Sequence, residues 1–489
     1  MKMLDRRSFL KHSMLAAAST SLLPAWSRVA AQSSTALRVP GANSDIHVAV
    51  VGLNGRGRDH LSSYLKLKGV RVVAVCDADQ EVLDRTAAKL KESGGTVATY
   101  ADLRKLLENP DIDAVSLATP NHWHSLGTVW AAQAGKDVYV EKPVSHNVFE
   151  GRQAVRAARK YQRIVQSGTQ CRSSQGLIEA VAWVQSGQLG KILRARGLCY
   201  KRRASIGKVE GPQPIPASVN YDLWCGPAPQ EPLLRKHLHY DWHWVWPTGN
   251  GDLGNQGVHQ VDIARWVLGE AESAPRVFTV GGRLGYVDDG TTPNTFVMYH
   301  DYQSAPLIFE VRGLPAKSGE DKMDNYHGAS IGVVIDCEGG RMVIPSYNKA
   351  IVYDRNDKEI KKFEGGGDHY ANFIAAVRSR KADDLRADIE VGHVSAALCH
   401  TANISYRLGQ KLTPDQLRAK VRENADLAEA YGRMEEHLKA NAVDLDQTPL
   451  TWGAALNLEV KAERFVNNEA ANAMLTRNYR APFVVPQQV

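Results

Sequence analysis

Short apolar runs alternate with longer amphipathic stretches through the first third of the chain. The apolar runs fall at 46–51, 70–76, 114–118, 138–140 and 164–165. Between them, residues 59–68, 79–92, 122–134 and 147–161 carry helical periodicity. Short buried strands alternating with helices imply an α/β fold, a doubly wound parallel sheet with helices on both faces. Asp79, Asp102 and Asn147 stand where a short polar side chain caps the free N–H groups of a first helical turn.

Further along, the pattern changes. A helix is expected over 173–185 and a strand over 192–200, followed by a Pro- and Gly-rich stretch at 201–236 that reads as a long functional loop. Strand-like segments then fall at 276–279, 295–302, 307–312, 331–337 and 341–345, several alternating and bounded by Gly or Pro, as antiparallel strands are. Helices return at 369–380 and 390–408, with a charged helix over 414–440 and a short one around 468–476.

With 489 residues and 43% hydrophobic content, the chain builds two or three cores. Its net charge of +7 is concentrated at the N-terminus: the first 31 residues carry +4, leaving +3 for the other 458. That weak residual charge gives no case for a nucleic-acid partner. Arg6-Arg7 precede Phe9-Leu10-Lys11, an apolar stretch at 14–23, Pro24, and small residues at 30–31. This order resembles a twin-arginine export signal over 1–31, too short for a membrane-spanning helix. It predicts a periplasmic protein, exported folded and without a stable membrane anchor. The six cysteines are scattered with no C-x-x-C pair, so buried free thiols are expected.

The first strand runs into Gly52-Leu53-Asn54-Gly55-Arg56-Gly57, which opens a helix. Glycines there let the backbone approach a pyrophosphate at a helix N-terminus. Asn54 stands where a second glycine is usual, and Gly55 is the candidate for its role. Asp77 ends the second strand, 20 residues beyond Gly57. A carboxylate there accepts from ribose hydroxyls and repels a 2′-phosphate, which favours NAD over NADP.

Thr119-Pro120-Asn121-His122-Trp123-His124 and Glu141-Lys142-Pro143 follow two later strands. Together with the glycine turn, they resemble the Gfo/Idh/MocA oxidoreductases, the family of glucose–fructose oxidoreductase and inositol 2-dehydrogenase. The resemblance implies a Rossmann domain at 45–168 and an α/β domain at 169–410, followed by an extension at 411–489. The second domain would carry a large open, mainly antiparallel sheet that often mediates homo-oligomers.

The resemblance also implies roles. Glu141 would contact the nicotinamide-side ribose, and Thr119, Pro120, Asn121, His124 and Gln170 would help hold the cofactor. Lys142 would sit beside nicotinamide and the substrate hydroxyl. Desolvation there lowers a lysine's pKa and lets it orient or deprotonate an alcohol. Arg172 would lie near substrate. His122 reads as a packing or capping residue; its His-x-His spacing with His124 has no third ligand, so no metal site is expected.

His259 is the second acid/base candidate. Relatives usually carry Asp-x-x-x-His; here Asn255 replaces the aspartate. Helical spacing places Asp252, Asn255, His259 and Asp262 near one face. An amide orients an imidazole but does not stabilise imidazolium as a carboxylate does; Asp262 is either an electrostatic substitute or a residue that only caps and tethers the helix. Trp242, Trp244 and Trp246 would share one face if the segment were extended, as a sugar-stacking wall or as packing. With His243 beside Trp242, the substrate candidates are Arg172, Trp242, His243, Asp252 and Asp262.

The leading expectation is an NAD-dependent oxidoreductase with retained cofactor, acting on a secondary hydroxyl of a small carbohydrate or cyclitol. Two alternatives stand beside it. One is an NAD-dependent glycoside hydrolase or lyase, in which a transient keto-sugar permits elimination. The other is a catalytically dead sugar-binding module, disfavoured by the presence of Lys142 and His259.

Overall fold

The computed structural model describes residues 44–489, so the export signal expected at 1–31 lies outside the described residues. Six strands form the first sheet: β1 (Ile46–Val51), β2 (Val70–Cys76), β3 (Ala98–Tyr100), β4 (Ala114–Leu117), β5 (Asp137–Val140) and β6 (Val165–Ser167). Their order is β3-β2-β1-β4-β5-β6, every pair parallel. Strand order reverses between β1 and β4, which opens a crevice at their carboxyl ends.

β3 was not expected from sequence. Its three residues are half or fully exposed, too short and polar to leave an apolar run. The first helix spans Arg56–Tyr64 rather than 59–68, because it begins in the glycine turn itself with Gly55 at its N-cap. Asp79, Asp102 and Asn147 each accept a backbone N–H as helix caps.

The second sheet comprises β7 (Ile192–Tyr200), β8 (Arg276–Gly282), β9 (Thr295–His300), β10 (Leu307–Arg312), β11 (Ile331–Cys337), β12 (Gly340–Ser346), β13 (Lys349–Asp354) and β14 (Glu359–Glu364). It is extended by β15 (Gln410–Lys411), β16 (Thr451–Trp452), β17 (Leu456–Glu459) and β18 (Arg464–Phe465). Among the described residues its pairings are antiparallel except β7 with β10. The sheet is therefore open and mixed, mainly antiparallel.

Alternation along β9 shows how the two faces are covered. Phe296 and Met298 point into a core with Leu177, Val261 and Leu398 from the helices Gln175–Gln185, Val258–Leu268 and Ile389–Arg407. Val297 and Tyr299 point the other way, onto Leu417, Leu427, Tyr431 and Met434 of the C-terminal extension. The single charged helix expected at 414–440 is two, Pro414–Val421 and Ala425–Ala440, the second capped by Asn424. The break lets both helices lie along the sheet. Arg433 of the second helix donates to the Glu310 carboxylate at 2.9 Å. Burial pushes the Glu310 carboxyl up, but Arg196 and Arg433 outweigh it and hold it at about 2.

The end of the extension returns to the first domain. Phe483 packs edge-on against Trp123 and lies beside Trp130. Arg477 donates to the Pro247 carbonyl at 2.9 Å, and Arg480 bonds Ala228 and Asp222. These contacts tie the loop over 201–250 to the first domain. All six cysteines are buried and unpaired.

Candidate active site

A cleft of about 860 Å³ opens where the carboxyl ends of β1, β4 and β5 face the second sheet. Its floor is the glycine turn. Gly52 has φ +82°, and a Cβ there would lie 2.7 Å from the Ala118 carbonyl. A Cβ on Gly57 would lie 1.8 Å from the Gly52 oxygen, so the turn closes only with hydrogen at that position. Gly55 faces open space, with nothing within 4 Å of the Cβ it lacks. That is the room a pyrophosphate occupies at a helix N-terminus. The Thr119 hydroxyl is buried in the same cleft without a hydrogen-bond partner. The open cradle and the orphaned hydroxyl fit a dinucleotide.

Asp77 lies at the far end. Its carboxylate accepts from the backbone N–H of Leu53 at 2.8 Å and of Asp79 at 3.0 Å. Burial pushes the carboxyl up from its usual range, against those two bonds. Each oxygen retains a lone pair for a ribose hydroxyl.

Glu141, at the end of β5, is held by three donors. Its Oε1 accepts from Arg56 Nε at 3.0 Å and Gln170 Nε2 at 2.9 Å, and lies 3.1 Å from His60 Nε2. Burial would push this carboxyl up, but His60 and Arg56 hold it well below the usual range. Glu141 is therefore a fixed anion beneath the cleft. His60 was missed in the sequence; its place four residues after Arg56 on the first helix was the available signal.

Lys142 reaches across the cleft, and its ammonium donates to the main-chain carbonyl of Asn255. Burial lowers its pKa, Glu141 opposes that, and Arg56, Arg203 and Lys201 reinforce it. Residues Leu253–Gly257 form a π-turn at the start of the helix carrying His259. The wider turn presents the Asn255 carbonyl to Lys142 and breaks the i,i+4 stacking of Asn255 on His259. The amide expected to orient His259 does not do so: Nδ1 of His259 is buried without a hydrogen-bond partner. Burial, then the Lys142 charge, hold its imidazole at about 3, so it is neutral at physiological pH.

The other candidates sort by where they point. Asn121 donates to Asn250 at 3.0 Å. The ring nitrogens of His124 lie 2.6 and 2.7 Å from the Pro143 and Thr119 carbonyls. Asn54, Gly55, Arg56, Asp77, Thr119, Pro120, Asn121, His124, Gln170, Trp242 and His243 all line the cleft.

Arg172 and Asp262 do not; they pair with each other at 2.8 and 2.9 Å, and Asp262 also accepts from Ser395. Asp252 is likewise outside the cleft lining, buried in an ion pair with Arg203. The shared helical face expected for these acids is interrupted by the π-turn.

The tryptophan segment is not extended. Residues Asp241–Trp244 form a 3-10 turn that separates the indoles. Trp242 lines the cleft with its ring stacked on His243 at 3.6 Å between centroids. Trp244 is buried under Arg203, and Trp246 lies against Arg407. Burial brings His243 to about 3 as well.

Two cleft residues had no signal in the sequence. Tyr347 sits at the β12–β13 turn, its ring 5.1 Å from that of His259, and its hydroxyl accepts from Gln256. β13 was not recognised, so its turn was not placed. Lys201 follows β7 and also lines the cleft.

Residues 46–169 match a family model described as an oxidoreductase family with an NAD-binding Rossmann fold, and 182–431 match that of its C-terminal alpha/beta domain. A glycosyl hydrolase family 109 protein 2 from Shewanella sp. (strain ANA-3) is 34% identical over 160 residues, 30% of this chain and 35% of the relative. A glycosyl hydrolase family 109 protein from Saccharopolyspora erythraea is 30% identical over 220 residues, 43% of this chain and 42% of the relative. The match thus spans about two-fifths or less of these relatives' length. In fold, the chain is similar to the WlbA dehydrogenase from Bordetella pertussis, crystallised with NADH and UDP-GlcNAcA. The TM-score is 0.54 at 18% identity, covering 72% of this chain and 94% of that one.

Proposed function

The chain belongs to the Gfo/Idh/MocA oxidoreductase family, and on that premise we propose that it oxidises a secondary hydroxyl of a sugar or cyclitol with NAD. One observation carries the reading. The Lys142 ammonium, of depressed pKa, faces a neutral His259 in a single cleft that is continuous with the glycine turn. NAD, when bound, supplies the hydride acceptor.

The residues do the rest. Glycine-turn N–H groups and the first helix would hold the pyrophosphate, and Asp77 would hold the adenine-side ribose and disfavour a 2′-phosphate. Glu141, fixed by Arg56, His60 and Gln170, would hold the nicotinamide-side ribose. Deprotonated Lys142, steered by the Asn255 carbonyl, takes the hydroxyl proton. His259 accepts a hydrogen bond from the same hydroxyl or a neighbour. The Trp242–His243 stack offers an apolar face for sugar C–H groups.

A second reading has the hydride returned after cleavage of a glycosidic bond, with no net redox change. The naming of the curated relatives as glycosyl hydrolases supports it. In this reading the keto group acidifies a neighbouring C–H, neutral His259 takes that proton, the leaving group departs with the proton held by Lys142, water adds across the resulting double bond, and the hydride returns to the keto carbon. Export by the twin-arginine signal to a periplasm is part of the proposal, since a retained cofactor suits a compartment that supplies no free NAD. So is a homo-oligomer. A panel of sugars and glycosides, read for both reduced nicotinamide and aglycone release, separates the two readings. Absence of both signals across the panel overturns them together.

A further inference from the structure

Every carboxylate lining the cleft is engaged at the cofactor end. Asp77 is tied to Leu53 and Asp79, Asp102 to Arg104, and Glu141 to Arg56, His60 and Gln170. The substrate end holds cations and neutral groups. Lys142 and Lys201 line it with the neutral His243 and His259, and with Trp242 and Tyr347.

The cations around Lys201 are already neutralised. Arg202 pairs with Asp321, Arg203 with Asp252, and Arg312 with Asp324. Lys201 itself is exposed, and none of the described ion pairs or side-chain hydrogen bonds involves its ammonium. It lines the same cleft as Lys142.

We infer that the substrate is a uronic-acid sugar or glycoside whose carboxylate pairs with Lys201 while a ring hydroxyl faces Lys142. The inference rests on the carbohydrate reading above. An unpaired ammonium at the end of the cleft that holds no carboxylate raises the potential there and favours an anionic ligand. One exposed ammonium matches a single negative charge; a phosphate dianion calls for several converging donors. Holding the carboxylate at Lys201 and the ring on Trp242 fixes which hydroxyl meets Lys142, so Lys201 is a specificity residue.

The test uses the full chain loaded with NAD and paired methyl glycosides, each uronide beside its neutral counterpart, in gluco, galacto and manno configuration and both anomers. The primary readout is the shift in melting temperature, which needs no turnover. For at least one pair the uronide should bind about tenfold or more tightly than its neutral partner. That preference should shrink with added salt, as screening requires for an exposed charge. K201M should abolish it and K201E reverse it, while K208M, on the neighbouring exposed segment, should retain it. Equal binding within every pair, no binding by any pair, a salt-independent preference, a preference kept in K201M, or tighter binding of sugar 6-phosphates than of uronides would each overturn the inference. The redox reading fails separately, when a bound sugar leaves the bound nicotinamide unchanged.

Discussion

Lys142 at the end of a Rossmann strand and Asn255 in a π-turn of the second domain are joined by one hydrogen bond, from the lysine ammonium to the main-chain carbonyl. The contact crosses the cleft and makes the position of the Lys142 ammonium depend on backbone geometry in the opposite domain. It also relocates the significance of residue 255. Its side chain makes no described hydrogen bond to His259; its backbone carbonyl accepts from Lys142, and the residue lines the cleft.

The pH profile should follow from this. Burial lowers the Lys142 pKa from the usual 10.5 of a lysine, so kcat/KM should rise with pH through a limb below 10.5 as the free amine forms. His259, at about 3, should contribute no limb near neutrality. Asn255→Asp would place a carboxylate near the ammonium, favour its charged form and move the limb upward. An unmoved limb in that variant would show that Lys142 is not the titrating base.

Lys142→Ala and His259→Ala should each lower turnover about 10²–10⁴-fold, the range for a positioned acid or base, while the protein still binds NAD. Turnover and nucleotide content measured on the same preparations check this. Near-native turnover in either variant removes that residue from the chemistry.

Cofactor binding should fail at one atom. Gly57→Ala places a methyl 1.8 Å from the Gly52 oxygen, so the turn must open. NAD affinity should fall by about tenfold or more, read by titration calorimetry. Asp77→Ser should instead narrow the preference for NAD over NADP by removing the charge that faces a 2′-phosphate. An unmodified protein that binds both nucleotides equally contradicts the role given to Asp77.

How far the sequence carries these positions depends on how local their signals are. The glycine turn, Asp77 and Glu141-Lys142 are contiguous motifs at strand ends, and each sits in the cleft. The three caps are likewise local and each forms. What was illegible depends on long-range packing or on a single inserted residue. The π-turn shifts Asn255, and no periodicity marks it. Arg172 and Asp262 are both polar and near the motif, yet they neutralise each other. The Trp242–Trp246 run alternates like a strand, but the 3-10 turn divides its indoles among three environments. Tyr347 and Lys201 reach the cleft only because the second sheet delivers them there.

Stability should fall steeply in acid. His122, His243, His259 and His400 are held at about 3, and His300 and His369 at about 4, chiefly by burial. These values lie below the unfolded value of 6.5, so the unfolded chain binds more protons between the two. Stability is therefore full above the unfolded value and lost as pH falls towards the folded ones. The melting temperature should decline progressively from about pH 7 to about pH 4. A flat profile over that range would contradict neutral burial of these rings.

Phe483→Ala should destabilise the chain by about 3–5 kcal/mol, because the ring is fully buried against Trp123 and Trp130 and leaves a cavity. Urea unfolding measures this. A change below about 1 kcal/mol would mean that the extension does not anchor on the first domain.

We propose that Lys142, Asn255 and His259 frame a redox centre for a sugar hydroxyl. The most direct measurement is a single turnover. Protein loaded stoichiometrically with NAD is mixed with excess uronide, and the near-ultraviolet absorbance of reduced nicotinamide is followed in time, with a substrate deuterated at the ring carbons for comparison. The account predicts a rapid rise in reduced cofactor, slowed by deuterium at one carbon and absent in Lys142→Ala. A bound substrate that produces no reduced nicotinamide at any time, with no isotope effect and no deuterium in the recovered nucleotide, would contradict it.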